Sequence, residues 1–318
     1  MTRSRSSKTT LAMVSALMLV LTLGGIAGAA PNPDADPHYP DLPKHETGGA
    51  FYGALSDTLV FASASQQYAR IDDARVAADV KAGFVRPEPG QETSIDYAVR
   101  AYAIDGDHDV PQTFGLFPDT RVRTVAFGAV PAEATIHVSQ LRDDGGLLVP
   151  LDVSGQKITW LADAGPRPGE FSGYYNVVGN ATMAGQVDVR ISDVTVDGVA
   201  VDVGAACRSV APAQLSAVGK GYVDKDYSLP VGEPIPPGKF NPAIGGLLTG
   251  SISIPAFTGC SAGGDDLGPL LTAMVSGETL PVKIFVELLN GACFNDHPGT
   301  YTLAKCAVPD LPFPGRAK

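Results

Sequence analysis

Gly259-Cys260-Ser261-Ala262-Gly263 has the Gly-x-Ser-x-Gly spacing that can hold a serine hydroxyl at the apex of a tight turn. His297 follows it, with Asp265, Asp266 and Asp296 between the two. Serine, acid, histidine is the chain order of an α/β-hydrolase, in which the histidine takes the serine proton and the acid orients the ring. Ser261, Asp266 and His297 are therefore the candidate triad. The surroundings argue against it. That fold needs a parallel sheet with crossover helices, and only 36 residues separate Ser261 from His297. Gly264-Asp265-Asp266 is a poor start for the helix that must follow a nucleophile, and Cys260 reads more simply as a disulfide partner. The expectation is a glycine-rich turn pinned by Cys260.

Asp105-Gly106-Asp107-His108-Asp109 alternates carboxylates as a calcium loop does. An EF-hand needs Gly at position 110 and an acid at 116, where this chain has Val110 and Leu116. Asp105, Asp107 and Asp109 thus offer a weak extracellular cation site, against the simpler reading of a solvated acidic turn. None of the five histidines is spaced as His-x-x-x-His or His-x-His. His137 shares a strand face with Thr135 and Ser139 and is expected to face solvent. No phosphate-binding loop or dinucleotide fingerprint occurs, so no cofactor is expected and no metal is assigned. Trp160, Tyr174 and Tyr175 read as core or edge packing in preference to a carbohydrate or apolar ligand site.

The solvent in which these groups work is set by the first thirty residues. Arg3, Arg5 and Lys8 precede an apolar run from Leu11 to Ile26, which ends in Ala27-Gly28-Ala29-Ala30. This is the layout of a Sec-type signal peptide, with cleavage expected after Ala29. A retained anchor is the other reading, and the run is slightly short for one. No integral span is expected after cleavage. The protein is expected to be secreted or held at the cell envelope.

The chain carries 34 Asp and Glu against 23 Lys and Arg, a net charge of −11. Such a surface repels nucleic acid and anionic lipid, so neither is expected as a partner; a cell-wall or extracellular polymer is compatible with it. The four cysteines are Cys207, Cys260, Cys293 and Cys306. An even count in an exported chain argues for two disulfides, and no Cys-x-x-Cys spacing argues for zinc. Three pairings exist. Cys207–Cys260 with Cys293–Cys306 is preferred, because the short stretch from Phe294 to Lys305 reads as a loop closed on itself.

Residues 30–48 are proline-rich and lack periodicity, and they read as a disordered leader. From Gly48 short β-rich runs follow: Phe51–Ala62, Glu92–Ile104, Thr120–Phe127, Ala134–Leu141, Gln186–Val196, Val199–Val203, Gly250–Ile254, Val282–Leu288 and Thr300–Leu303. With 36 glycines and 26 prolines, the chain reads as all-β, an antiparallel sandwich or partly open barrel. Short helices are expected at Ser65–Val80 and Leu267–Met274. Ala164–Gly169 reads as a linker between two β units, residues 49–164 and 169–312. Asp197-Gly198 predicts a type I′ hairpin that sets Val196 against Val199 and Val194 against Val201. A bulge at Ser192-Asp193 would bring Ile191 opposite Val203 and separate Asp193 from Asp202.

Val199–Arg208 and Gly250–Cys260, with Asp266–Ala273 and Ser276-Gly277, resemble a group of uncharacterised exported actinobacterial proteins. The resemblance covers roughly Gly185 to Cys293. It implies a secreted β-rich module with a Cys207–Cys260 bridge and no particular chemistry. The residues together point to a non-catalytic structural or binding module. A secreted hydrolase using Ser261 and His297 is the alternative. A ligand carrier or envelope pore is a third reading, and the charges Arg121, Arg123, Asp188 and Arg190 speak against a pore.

Overall fold

Alternation of small apolar and polar side chains carries most of this chain into sheet. The computed structural model describes residues 32–36, 41–44, 51–62, 67–82, 92–104, 114–126, 130–161, 174–224, 237–241, 245–275 and 279–288. The strands are β1 Phe51–Ala62, β2 Gln67–Ala82, β3 Glu92–Ile104, β4 Thr120–Ala126, β5 Val130–Gln140, β6 Leu151–Leu161, β7 Tyr174–Val178, β8 Ala181–Val196 and β9 Val199–Val201. They continue as β10 Arg208–Ser209, β11 Ala213–Gly219, β12 Tyr222–Asp224, β13 Phe240–Asn241, β14 Gly245–Ser253, β15 Phe257–Thr258, β16 Ser261–Ala262 and β17 Asp265–Asp266. One helix, α1 Gly268–Val275, precedes the last strand, β18 Thr279–Leu288.

Eight of these strands close an antiparallel barrel in the order β1-β2-β3-β6-β8-β11-β14-β18, with β18 returning to β1. Ring neighbours follow one another along the chain, as in an up-and-down barrel. On β8 the residues Ala181, Met183, Val187, Val189 and Ile191 are buried, while Thr182, Ala184, Gln186 and Arg190 are exposed. On β11 Ala213, Leu215 and Ala217 point in, and Gln214 and Ser216 point out. A membrane-spanning barrel carries its apolar band outward; here the apolar set faces the lumen.

The long β8 spans two tiers. Thr182–Ala184 pair with β6, and further on β8 pairs with β5 from Val187 to Val196. The β4–β5 hairpin thus replaces β6 and β3 in the wall nearest the β1–β2 turn, called here the upper end. Thr120 Oγ1 donates to the Arg70 carbonyl at 2.7 Å and joins that hairpin to β2.

Three expectations change. Ser65–Val80 was expected to be helical, yet Gln67–Ala82 is strand β2. Asp72-Asp73 form a bulge, Asp73 takes φ 56°, and the inward set shifts from Ala69 and Ile71 to Val76 and Ala78. That phase change hides the period of two. Second, β6 from one side of the expected linker pairs with β8 from the other, and β1 pairs with β18, so both stretches build one barrel. Third, the described parts of the leader pack on the outer wall. Leu42 is 1 % exposed and clusters with Ala77, Tyr102, Ile104, Phe114 and Leu148. The Asp36 amide donates to the Leu42 carbonyl at 2.7 Å, and Leu148 donates to Asp41 at 3.0 Å.

Other expectations hold, except the pairing of Ile191 with Val203. Asp197 and Gly198 take φ 50° and 76°, the pair of positive angles a type I′ turn needs, and Val196 faces Val199. Asp193 marks the bulge with φ 49°. The Ile191 amide there donates to the Cys207 carbonyl at 3.1 Å and does not pair with Val203. Helix α1 lies where Leu267–Met274 predicted one.

Candidate functional site

The barrel encloses a chamber of about 610 Å³, a volume within the usual range for small-molecule sites. Its deep wall is apolar: Val99, Val153, Met183, Leu215, Leu248 and Ile284 all point in and are buried. Phe240 closes the lower end, buried and packed against Gly219. At the upper end Leu267, with Leu271, Met274 and Val275 on α1, places an apolar side over the lumen. The lining residues that are themselves exposed, Arg123, Asp265 and Leu270, lie at that end. The chamber therefore meets solvent there.

Local sequence explains the shape. Ala54, Ala78 and Ala101 supply short inward side chains and leave room that larger residues would fill. The β2 bulge keeps both Ile71 and Val76 inward across its break. Asp57, on the outer face of β1 and 2 % exposed, supports that bulge: its Oδ1 accepts the Asp73 amide at 2.8 Å. Burial pushes the Asp57 carboxyl up; the Asp73 amide acts the other way, as does Arg70, whose Nη2 stands 3.6 Å from Oδ2. Burial also raises Glu287. At the mouth Arg123 Nε donates to Glu133 Oε1 at 2.7 Å across the β4–β5 ladder, so these two charges neutralise each other.

A second polar cluster lies outside the barrel. His137 Nδ1 is 2.6 Å from Asp119 Oδ1, and its Nε2 is 2.7 Å from Ser192 Oγ. The connectivity is that of a serine-histidine-carboxylate relay. The donor count decides against activation. The Ser192 hydroxyl donates to Asp193 Oδ2 at 2.9 Å, and the Asp119 carboxylate only accepts. With its one proton given to Asp193, the Ser192 hydroxyl has none to pass to the ring. The hydroxyls of Ser192 and Thr135 hold the Asp193 carboxyl below its usual range. His137 lies on the outward face with Thr135 and Ser139, as expected, but it is engaged on both nitrogens.

The Gly-x-Ser-x-Gly segment is a different object. Ser261 pairs with Asp266 in the register of the small β16–β17 hairpin, and both are exposed. A second short strand follows Ser261, where a nucleophile turn needs a helix. Asp266 Oδ1 accepts the Gly268 amide at 2.9 Å and caps α1. Gly259 has φ 68°, and a Cβ there would meet the Ala206 carbonyl, which is reason enough for a glycine. His297 and Asp296 lie outside the described residues. So do Asp105, Asp107, Asp109, Cys293 and Cys306. Cys207 and Cys260 are joined in a disulfide across 53 positions. Trp160 and Tyr175 are backbone partners on β6 and β7. Among the described residues no group of three or more side chains could hold a metal ion, and no helix is long and apolar enough to cross a membrane.

The chamber is what reading by residue type missed. Its signal is the inward phase of alternation on eight strands, which becomes a cavity only once ring order is known. No known protein family, curated protein or solved structure matches the chain.

Proposed function

We propose that this protein is a non-catalytic binding module that carries or sequesters an apolar small molecule in its barrel, outside the cytoplasm. The chamber of about 610 Å³ supports this reading most, walled by inward apolar side chains beneath a polar outer surface. An apolar ligand there gains about 2.5 kcal/mol for each 100 Å² of apolar surface withdrawn from water, before the cost of immobilisation. A cavity of this kind holds water poorly, so a ligand meets little competition from solvent. The signal-like N-terminus and the Cys207–Cys260 bridge suit an oxidising compartment.

The test is titration with 1,6-diphenylhexatriene, a hydrocarbon fluorophore that emits weakly in water. Saturable one-to-one binding is expected. Ala101→Trp, which fills the lumen, should weaken it at least tenfold with an unchanged β-type circular dichroism spectrum. Absence of saturable binding by the unsubstituted protein overturns the reading.

A further inference from the structure

Hydroxyl side chains interrupt the apolar wall at Ser56, Thr58, Thr120 and Thr124, the last beside Arg123 at the mouth. Ser56 and Thr58 point into the chamber from successive inward positions of β1. Ser56 is only 8 % exposed. Its hydroxyl has no hydrogen-bond partner among the described residues, whereas the Thr120 hydroxyl is occupied by the Arg70 carbonyl. The ladder places Val286 and Ile284 beside Ser56 and Thr58 on β18, and Ala74 and Ile71 beside them on β2. No neighbouring side chain in that register can satisfy them. A hydroxyl that faces an apolar lumen gains little from it, and one that meets a ligand oxygen gains a hydrogen bond.

The depth of the pair follows from strand geometry. Thr58 and Ser56 lie four and six residues from Ala62, at the upper end. At about 3.3 Å per residue, with strands tilted as in small barrels, this is about 10–15 Å below the mouth. Among the described residues nothing in the lumen balances a charge at that depth. Arg123 is at the mouth and paired with Glu133. Arg70 lies on the outer face of β2, beside Asp57 and Asp72. An ionised ligand group would be buried without a counter-ion.

We infer that the chamber selects an uncharged lipid-like molecule with a hydroxyl or carbonyl held deep in the lumen by Ser56 and Thr58, and discriminates against fatty-acid anions. This rests on the binding reading above and names its ligand class. Ser56 and Thr58 can each donate to such an oxygen or accept from its proton. Long aliphatic alcohols and ketones, and polycyclic alcohols that enter polar end first, meet the requirement.

The experiment displaces diphenylhexatriene with dodecane, dodecanol and dodecanoate at pH 8. Dodecanol should act at a concentration at least tenfold lower than dodecanoate and severalfold lower than dodecane. In Ser56→Ala/Thr58→Val the advantage of dodecanol over dodecane should disappear while binding of diphenylhexatriene persists. If dodecanoate matches or exceeds dodecanol, or if the double variant keeps the preference for the alcohol, this inference fails and the binding reading stands. If the fluorophore itself does not bind, both fail.

Discussion

The hydroxyl of Ser192 sits between two groups, 2.7 Å from His137 Nε2 and 2.9 Å from the Asp193 carboxylate. Its proton points to the carboxylate, so the serine is held as a strut and not primed as a nucleophile. The chain Asp119–His137–Ser192–Asp193 ties β5 to the bulge of β8. Ser192→Ala should cost about 1–2 kcal/mol in urea denaturation. The protein should not be labelled at Ser192 by a fluorophosphonate probe. A covalent adduct on that residue would refute the assignment.

Asp57 carries a cost and a benefit that substitution can separate. Its buried charge is unfavourable, while its Oδ1 satisfies the Asp73 amide. Asp57→Asn keeps an acceptor and removes the charge, so stability at pH 7 should be unchanged or higher. Asp57→Ala orphans the amide and should cost about 1–3 kcal/mol. Thermal melts of the two variants make the comparison, and equal losses would contradict it.

The same burial gives a pH slope. Asp57 and Glu287 have folded-state pKa values raised above their unfolded ones. Between those values the folded protein binds more protons than the unfolded chain. Their contribution is therefore greatest below the unfolded pKa and is lost as pH rises through the folded one. Asp57→Asn/Glu287→Gln should flatten the fall in stability on going upward from the ordinary carboxylate range. A double variant with an unaltered slope assigns it elsewhere.

Cys207–Cys260 closes a loop of 53 positions, worth about 4 kcal/mol in the chain-entropy description. The Ser261 amide donates to Val203 and the Leu267 amide to Cys260, so the bridge anchors the β16–β17 hairpin and α1. Cys207→Ser/Cys260→Ser should lower stability by about that amount. Amide exchange should rise first in residues 261–275, and a uniform rise would count against this anchoring role.

Gly198 holds φ 76° at the second centre of the β8–β9 turn. Gly198→Ala should cost about 1–2 kcal/mol, since a side chain is strained there. A melting temperature equal to that of the parent would show that the turn relaxes.

How much of this was legible in the residues varies by element. The β8–β9 hairpin could be read to the residue, because Asp-Gly turn chemistry and alternating valines specify register locally. Strand β2 could not, because Asp72-Asp73 interrupt its alternation and its alanines and charges imitate a helix. Ser261 was prominent in sequence and lies on an exposed hairpin. His137, Ser192 and Asp119 were inconspicuous, since strand pairing alone joins positions 55 apart. Ser56 and Thr58 carried no signal until neighbouring strands supplied the apolar wall around them.

Because β1 is hydrogen-bonded to β18, the first strand of the ring waits for the last. A growing chain that has reached α1 holds seven staves with both outer ones unpaired and the lumen split lengthwise. Arrival of residues 279–288 completes the wall and removes two sticky edges in one step. A chain truncated before Thr279 is thus expected to lose its enclosed space entirely and to aggregate, however complete its remaining strands.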